Sequence, residues 1–124
     1  MVDLIKNNIG LEILTDTGWS KFDGVLDKGI QQTAVLQLNS LYINATLDHE
    51  VFTSNLVKKL IKQLRPGDHI HTKIGIQRVV SVKLSRIETV YDLLNVHHNR
   101  RFYANDILCS NCEFVINDET LIAP

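Results

Sequence analysis

Asn111 stands directly before Cys112, and that pair of residue types can cut and rejoin a polypeptide. The asparagine side-chain amide attacks its own backbone carbonyl, closes a succinimide and breaks the bond to the next residue, whose amine is thereby freed. A cysteine in the next position is a soft, strong nucleophile that accepts an acyl group as a thioester and passes it to the freed amine. A dipeptide this short also occurs in ordinary loops, so it acquires meaning only in company. Two other groups supply candidates. Thr46-Leu47-Asp48-His49 places a hydroxyl and an imidazole at the close of an apolar segment, where a histidine is also often just a surface or core-edge residue. Val90-Tyr91-Asp92-Leu93 sets a lone carboxylate between apolar neighbours. Burial there would raise its pKa and suit it to proton transfer, whereas an edge-strand Asp turned to water would do nothing.

The elements that must position these groups read mostly as short strands. Leu11 to Leu14, Val25-Leu26 and Thr33 to Leu38 are apolar runs separated by a turn at Asp16-Thr17-Gly18 and a break at Lys28-Gly29, the pattern of a β-meander. Ser54 is a candidate N-cap for a helix whose Leu56, Val57, Leu60, Ile61 and Leu64 follow helical spacing, with Pro66-Gly67 as its stop. Strands resume at Ile70 to Lys73, Gln77 to Leu84 and Thr89 to Val96. After a polar turn at His97-His98-Asn99-Arg100 comes a last pair, Phe102-Tyr103 and Ile107-Leu108. The expected class is mostly β with one short helix.

With 124 residues, 44% of them hydrophobic, the chain can bury a modest core in one domain and is not of disordered composition. No apolar run reaches the length of a membrane span and the N-terminus carries no signal-peptide pattern, so no membrane association and a cytoplasmic location are expected. Two cysteines, Cys109 and Cys112, are too few and too close to staple a secreted scaffold, which points to free thiols in a reducing compartment. The net charge of −1 hides an uneven distribution: residues 1–53 carry 3 Lys/Arg against 7 Asp/Glu, residues 54–101 carry 10 against 3, and residues 102–124 carry 0 against 4. A basic middle block of this kind attracts nucleic acid or an acidic partner segment, or is a solvated face balanced by its neighbours.

Four ordered stretches resemble the inteins, protein-splicing elements of the Hint fold. They are Asn44-Ala45-Thr46-Leu47-Asp48-His49-Glu50-Val51-Phe52-Thr53, then Leu64-Arg65-Pro66-Gly67-Asp68-His69-Ile70, then Val90-Tyr91-Asp92-Leu93, and finally Phe102-Tyr103-Ala104-Asn105-Asp106-Ile107-Leu108 running on through Asn111-Cys112. The resemblance covers residues 8–112 and implies a horseshoe of antiparallel strands that holds both splice junctions near its centre. By position, Thr46 would orient the upstream scissile peptide and His49 would protonate its departing nitrogen. Asp92 would assist proton movement between steps, Cys112 would accept the upstream acyl group, and Asn111 would cyclise. Residues 1–111 would be intein, and residues 112–124, similar to a strand region of phage terminase large subunits, the start of the downstream host sequence in a phage or bacterial cell. No cofactor or metal is implied.

The chain departs from the family in two places. Inteins begin with a Cys or Ser nucleophile, and no Cys precedes Cys109 here. The resemblance therefore implies the C-terminal fragment of an atypically split intein, incomplete without a short N-terminal fragment that carries the first nucleophilic Cys and the upstream host sequence. The basic block would speed capture of an acidic partner. Most inteins also place His before the terminal Asn, where Ser110 stands here, and Arg100 replaces a second family histidine. His97 and His98, on the adjoining turn, are candidates to compensate.

Rival readings remain. Cys109-x-x-Cys112 follows an apparent hairpin rather than opening a helix, so a thioredoxin-like site is rejected, although oxidation of Cys109 with Cys112 would disable the nucleophile. His69-x-His71 lacks a second pair of zinc ligands. A small β-rich nucleic-acid-binding module would use the basic block, but aromatics are only 6% and no nucleic-acid contact is expected. A Hint domain that only cleaves would leave the Asn111-Cys112 pair without a purpose. No insertion large enough for a homing endonuclease lies between the expected helix and the closing strands.

Overall fold

The computed structural model describes residues 3–6, 10–97, 100–110 and 122–123. Its strands are β1 (Asp3–Lys6), β2 (Glu12–Thr15), β3 (Gly18–Lys21), β4 (Gly24–Leu38), β5 (Tyr42–Ala45), β6 (Glu50–Phe52), β7 (Lys58–Leu60), β8 (His69–Thr72), β9 (Gly75–Leu94), β10 (Phe102–Ala104), β11 (Ile107–Cys109) and β12 (Ile122–Ala123). A nine-stranded antiparallel sheet runs β1-β4-β9-β8-β11-β6-β7, with β5 on β4 and β10 on β11. A three-stranded sheet, β12-β2-β3, completes the fold.

Local chemistry sets the tight turns. In the β2–β3 hairpin Thr15 Oγ1 accepts the Thr17 amide at 3.1 Å and donates to the Gly18 carbonyl at 2.6 Å. Thr72 repeats the device in the β8–β9 hairpin, accepting from the Ile74 amide at 3.2 Å and donating to Gly75 O at 2.5 Å. In both, a glycine at strongly positive φ ends the turn, 111° at Gly18 and 114° at Gly75, where a Cβ would be strained. The β10–β11 hairpin turns through Asn105 and Asp106 at φ 51° and 64°, the left-handed pair that matches the twist of the flanking strands.

The Lys28-Gly29 break does not end a strand. β4 passes through it as a bulge between Asp27 and Ile30, with the Gly29 amide bonded to Asp27 Oδ1 at 2.8 Å. Likewise the expected strands Gln77–Leu84 and Thr89–Val96 run together as one twenty-residue strand, β9, which ends at Leu94. The β4–β9 ladder slips again between Gln32 and Ala34 and between Gln37 and Leu38. Each slip bends and twists the pair, which is how two long strands curve around a core.

The expected helix over Leu56–Leu64 does not form; among the described residues only a single 3-10 turn, Ile61–Gln63, is helical. Val51 and Phe52 of β6 are buried and need a paired edge, and β7 supplies it through Glu50↔Leu60, Val51↔Lys59 and Phe52↔Lys58. Thr53 closes the reversal by donating its amide to Val57 O at 2.9 Å, with Leu56 at φ 60°. Ile61 and Leu64 reach the core while Leu56 and Val57 stay exposed, so the helical spacing of the five apolar residues has no structural use. Lys58 and Lys59 on this outer strand discourage edge-to-edge pairing with other chains.

The core gathers Leu36, Leu38, Ile43, Val51, Ile70, Leu93, Phe102 and Ile107 from β4, β5, β6, β8, β9, β10 and β11. Phe52, Tyr103 and Leu108 form a smaller cluster with Leu14 against it. Arg101 lies over the Phe52 ring, 5.4 Å from its centroid, and bonds Asp16 through Nε at 3.0 Å and Nη2 at 2.5 Å. A two-pronged pair of this kind, largely shielded, contributes on the order of 2 kcal/mol to tying the β2–β3 hairpin to the approach to β10.

Candidate functional site

Residues Thr46–His49 follow β5 and turn the chain into β6. The His49 amide donates to Thr46 O at 3.0 Å, closing the turn. The 3-10 segment then clamps it from outside, with the Ile61 amide on His49 O at 2.9 Å and the Lys62 amide on Leu47 O at 3.0 Å. Thr46 is buried and His49 fully so. The Lys62–Asp48 ion pair on the loop's outer face is exposed and adds little.

Removal from water disfavours the imidazolium and pulls His49 down to a pKa of about 3. His49 is therefore neutral near pH 7. The same burial makes stability depend on pH. The unfolded chain takes up a proton near pH 6.5 and the folded one only near 3, so this contribution is complete above about pH 6.5 and is lost as pH falls towards 3. The slope is about 1.4 kcal/mol per pH unit within that window. Urea midpoints of the wild type between pH 6.5 and 4.5 should fall more steeply than those of His49→Gln; parallel slopes would show that His49 is not held neutral.

β11 brings the C-terminal segment to this loop. Cys109 pairs with Val51 of β6. The next residue, Ser110, donates its amide to Glu50 O at 3.1 Å and its hydroxyl to Glu50 Oε1 at 3.3 Å. Ser110 is buried. The residue before Asn111 is thus tied twice to the residue after His49, with Lys58 Nζ 3.9 Å from the other Glu50 oxygen. Glu50 was not among the residues singled out from the sequence. Its signal was a single charge directly after the histidine and before the apolar Val51-Phe52.

The other candidates stand as follows. Asp92 lies on β9 opposite Leu26, between half-buried Tyr91 and buried Leu93, and is itself half-buried with Oδ1 out of solvent. His97 is exposed and bonds Asp23 Oδ1 at 3.1 Å, while Asn95 Nδ2 bonds Oδ2 at 2.9 Å. Those two hydrogen bonds, Asn95 first, hold the Asp23 carboxyl below its usual range. Arg100 is exposed at φ 56°. His98, Asn111 and Cys112 lie outside the described residues.

Cys109 is fully buried, and loss of solvent pushes its thiol well above the usual cysteine range. Its Sγ donates to Ile107 O at 3.2 Å. As folded it is a core residue without thiolate character. His71 Nε2 is 3.1 Å from the Tyr103 hydroxyl and its ring stacks on that of Tyr103, which gives His71 a packing role, whereas His69 is exposed. Among the described residues no group of three metal-ligating side chains occurs, and no helix is long and apolar enough to cross a membrane.

No protein-family model matches the chain, and no curated protein matches it. Solved structures do. The VidaL intein is 25% identical with a TM-score of 0.74, over 81% of this chain and 69% of that one. A DnaB intein from Synechocystis sp. PCC 6803 is 24% identical with a TM-score of 0.70, over 82% and 77%. A consensus engineered intein with an atypical split site is 21% identical with a TM-score of 0.67, over 89% of each chain. The strands described above, from the Thr46–His49 loop to the β10–β11 hairpin, are those of an antiparallel, mostly β domain with the intein (Hint) fold.

Proposed function

We propose that this chain splices proteins in trans as the C-terminal fragment of a split intein, with residues 1–111 as intein and residues 112–124 as the start of the downstream host sequence. The observation that carries the reading is the double tether of Ser110 to Glu50, which ends β11 beside the Thr46–His49 loop in a fold shared with inteins. A short partner polypeptide brings the first nucleophilic Cys and the upstream host segment. The presence among the structural neighbours of an intein with an atypical split site supports an uneven division of this fold.

The steps balance without a cofactor. The partner's thiol attacks the preceding carbonyl and the amide nitrogen leaves with a proton, giving a thioester. Thr46 orients that peptide. His49, neutral at rest, gains its proton as charge builds on the tetrahedral intermediate and delivers it to the leaving nitrogen. The Cys112 thiolate displaces the partner's thiolate, Asp92 assisting the proton movement. Asn111 Nδ2 then attacks the Asn111 carbonyl carbon, losing one hydrogen, and the Cys112 nitrogen leaves with one gained. The acyl group finally moves from sulfur to that free amine.

The test is to mix the full chain, under reducing conditions, with tagged peptides carrying N-terminal intein segments, the VidaL segment among them. Transfer of the tag onto Cys112–Pro124 with loss of residues 1–111 is expected. An unchanged chain across the panel, with salt-sensitive binding to nucleic acid in its place, would overturn the reading.

A further inference from the structure

Closing a succinimide requires the Asn111 side-chain nitrogen to approach its own carbonyl carbon, and the attainable rate depends on how narrowly the preceding residue is held. Ser110 is held from one side by the Cys109↔Val51 pairing and from the other by Glu50. The amide link to Glu50 O is independent of side-chain identity. The hydroxyl link to Glu50 Oε1, at 3.3 Å, exists only because residue 50 has an oxygen acceptor and residue 110 a hydroxyl. Lys58 Nζ lies 3.9 Å from the other carboxylate oxygen, Oε2, as a partly exposed ion pair. The side-chain bond is part-buried: Ser110 is only 5% exposed, and the Glu50 side chain that accepts from it is 28% exposed.

We propose that Glu50, acting through the buried Ser110 hydroxyl, is a positioning residue for cyclisation of Asn111. The inference rests on the splicing reading. Glu50 is assigned no contact with a reacting atom; it fixes the peptide that leads into Asn111, and in the covalent step the Nδ2–carbonyl carbon bond forms, the bond from that carbon to the Cys112 nitrogen breaks, and one hydrogen passes from Nδ2 to the leaving nitrogen.

The test follows release of Cys112–Pro124 by intact mass, from the full chain by itself and mixed with the peptide panel. Thiol-induced release of the upstream tag reports the first step in parallel. Glu50→Ala should lower the ratio of cyclisation to upstream thiolysis roughly tenfold, and Ser110→Ala the same. The double variant should be no slower than either single one, because both remove one bond. Glu50→Gln, which keeps an oxygen acceptor, should restore most of the rate. A purely structural role would slow both steps together and would not be rescued selectively. Should Glu50→Ala unfold, Ser110→Ala, which leaves β6 intact, carries the test. Wild-type cyclisation in Glu50→Ala, or independent losses that multiply in the double variant, overturns this inference while leaving splicing in place. No release from the wild-type chain under either condition overturns the splicing reading as well.

Discussion

Asn111→Ala is expected to stop release of Cys112–Pro124 altogether while leaving the domain folded. The effect is all-or-none because no neighbouring group can replace the chemistry. Ring closure needs a side-chain amide one carbon removed from the backbone, and Ala has no nitrogen to attack with. The Ser110–Glu50 tether is made by the atoms of those two residues, and thermal unfolding is expected to stay near that of the wild type. In the presence of an N-terminal segment, the upstream acyl group should still reach Cys112, and a branched species with two N-termini should accumulate. Mass spectrometry of the mixture reads this directly. Continued release of the downstream segment from Asn111→Ala would show that the bond is broken by some other route.

Cys112→Ala should have the complementary result: ligation is lost while the downstream segment is still released. Alanine offers no nucleophile for the upstream thioester, so no tag reaches residues 112–124. Asn111 keeps its amide and its tethered predecessor, so cyclisation proceeds and frees an alanine amine. The upstream thioester, with no acceptor, drains slowly to water or quickly to added thiol. The diagnostic is the pair of products, an untagged downstream peptide together with a thiol-capped or hydrolysed upstream one. A ligated product from Cys112→Ala would require another nucleophile. Cys109 is a poor candidate, since its buried thiol stays protonated.

How far these groups could be found from the sequence differed from one to the next. The Thr46–His49 loop and the β10–β11 hairpin were legible because their signals are local: a turn closed within four residues and an Asn-Asp pair suited to left-handed φ. The complete burial of His49 is not legible locally, since Asp48 and Glu50 flank it. The helical spacing over Leu56–Leu64 misleads because it is equally compatible with a strand edge followed by one 3-10 turn. What decides is the demand of β6 for a partner, a long-range fact that no local window contains. The Lys28-Gly29 bulge was read as a break for the same reason, since only the facing strand β9 reveals that the ladder continues past it. Glu50 escaped notice because its role depends on Ser110, sixty residues away in sequence and adjacent only through the β6–β11 pairing.

The measurement that bears most directly on splicing is the mass of the excised residues 1–111 at the earliest time the downstream segment appears. Cyclisation of Asn111 predicts a product one water lighter than the free acid, converting to the acid only on standing as the succinimide hydrolyses. A product that carries a free carboxylate from its first appearance, or that ends at any residue other than Asn111, would mean ordinary hydrolysis and would contradict the account.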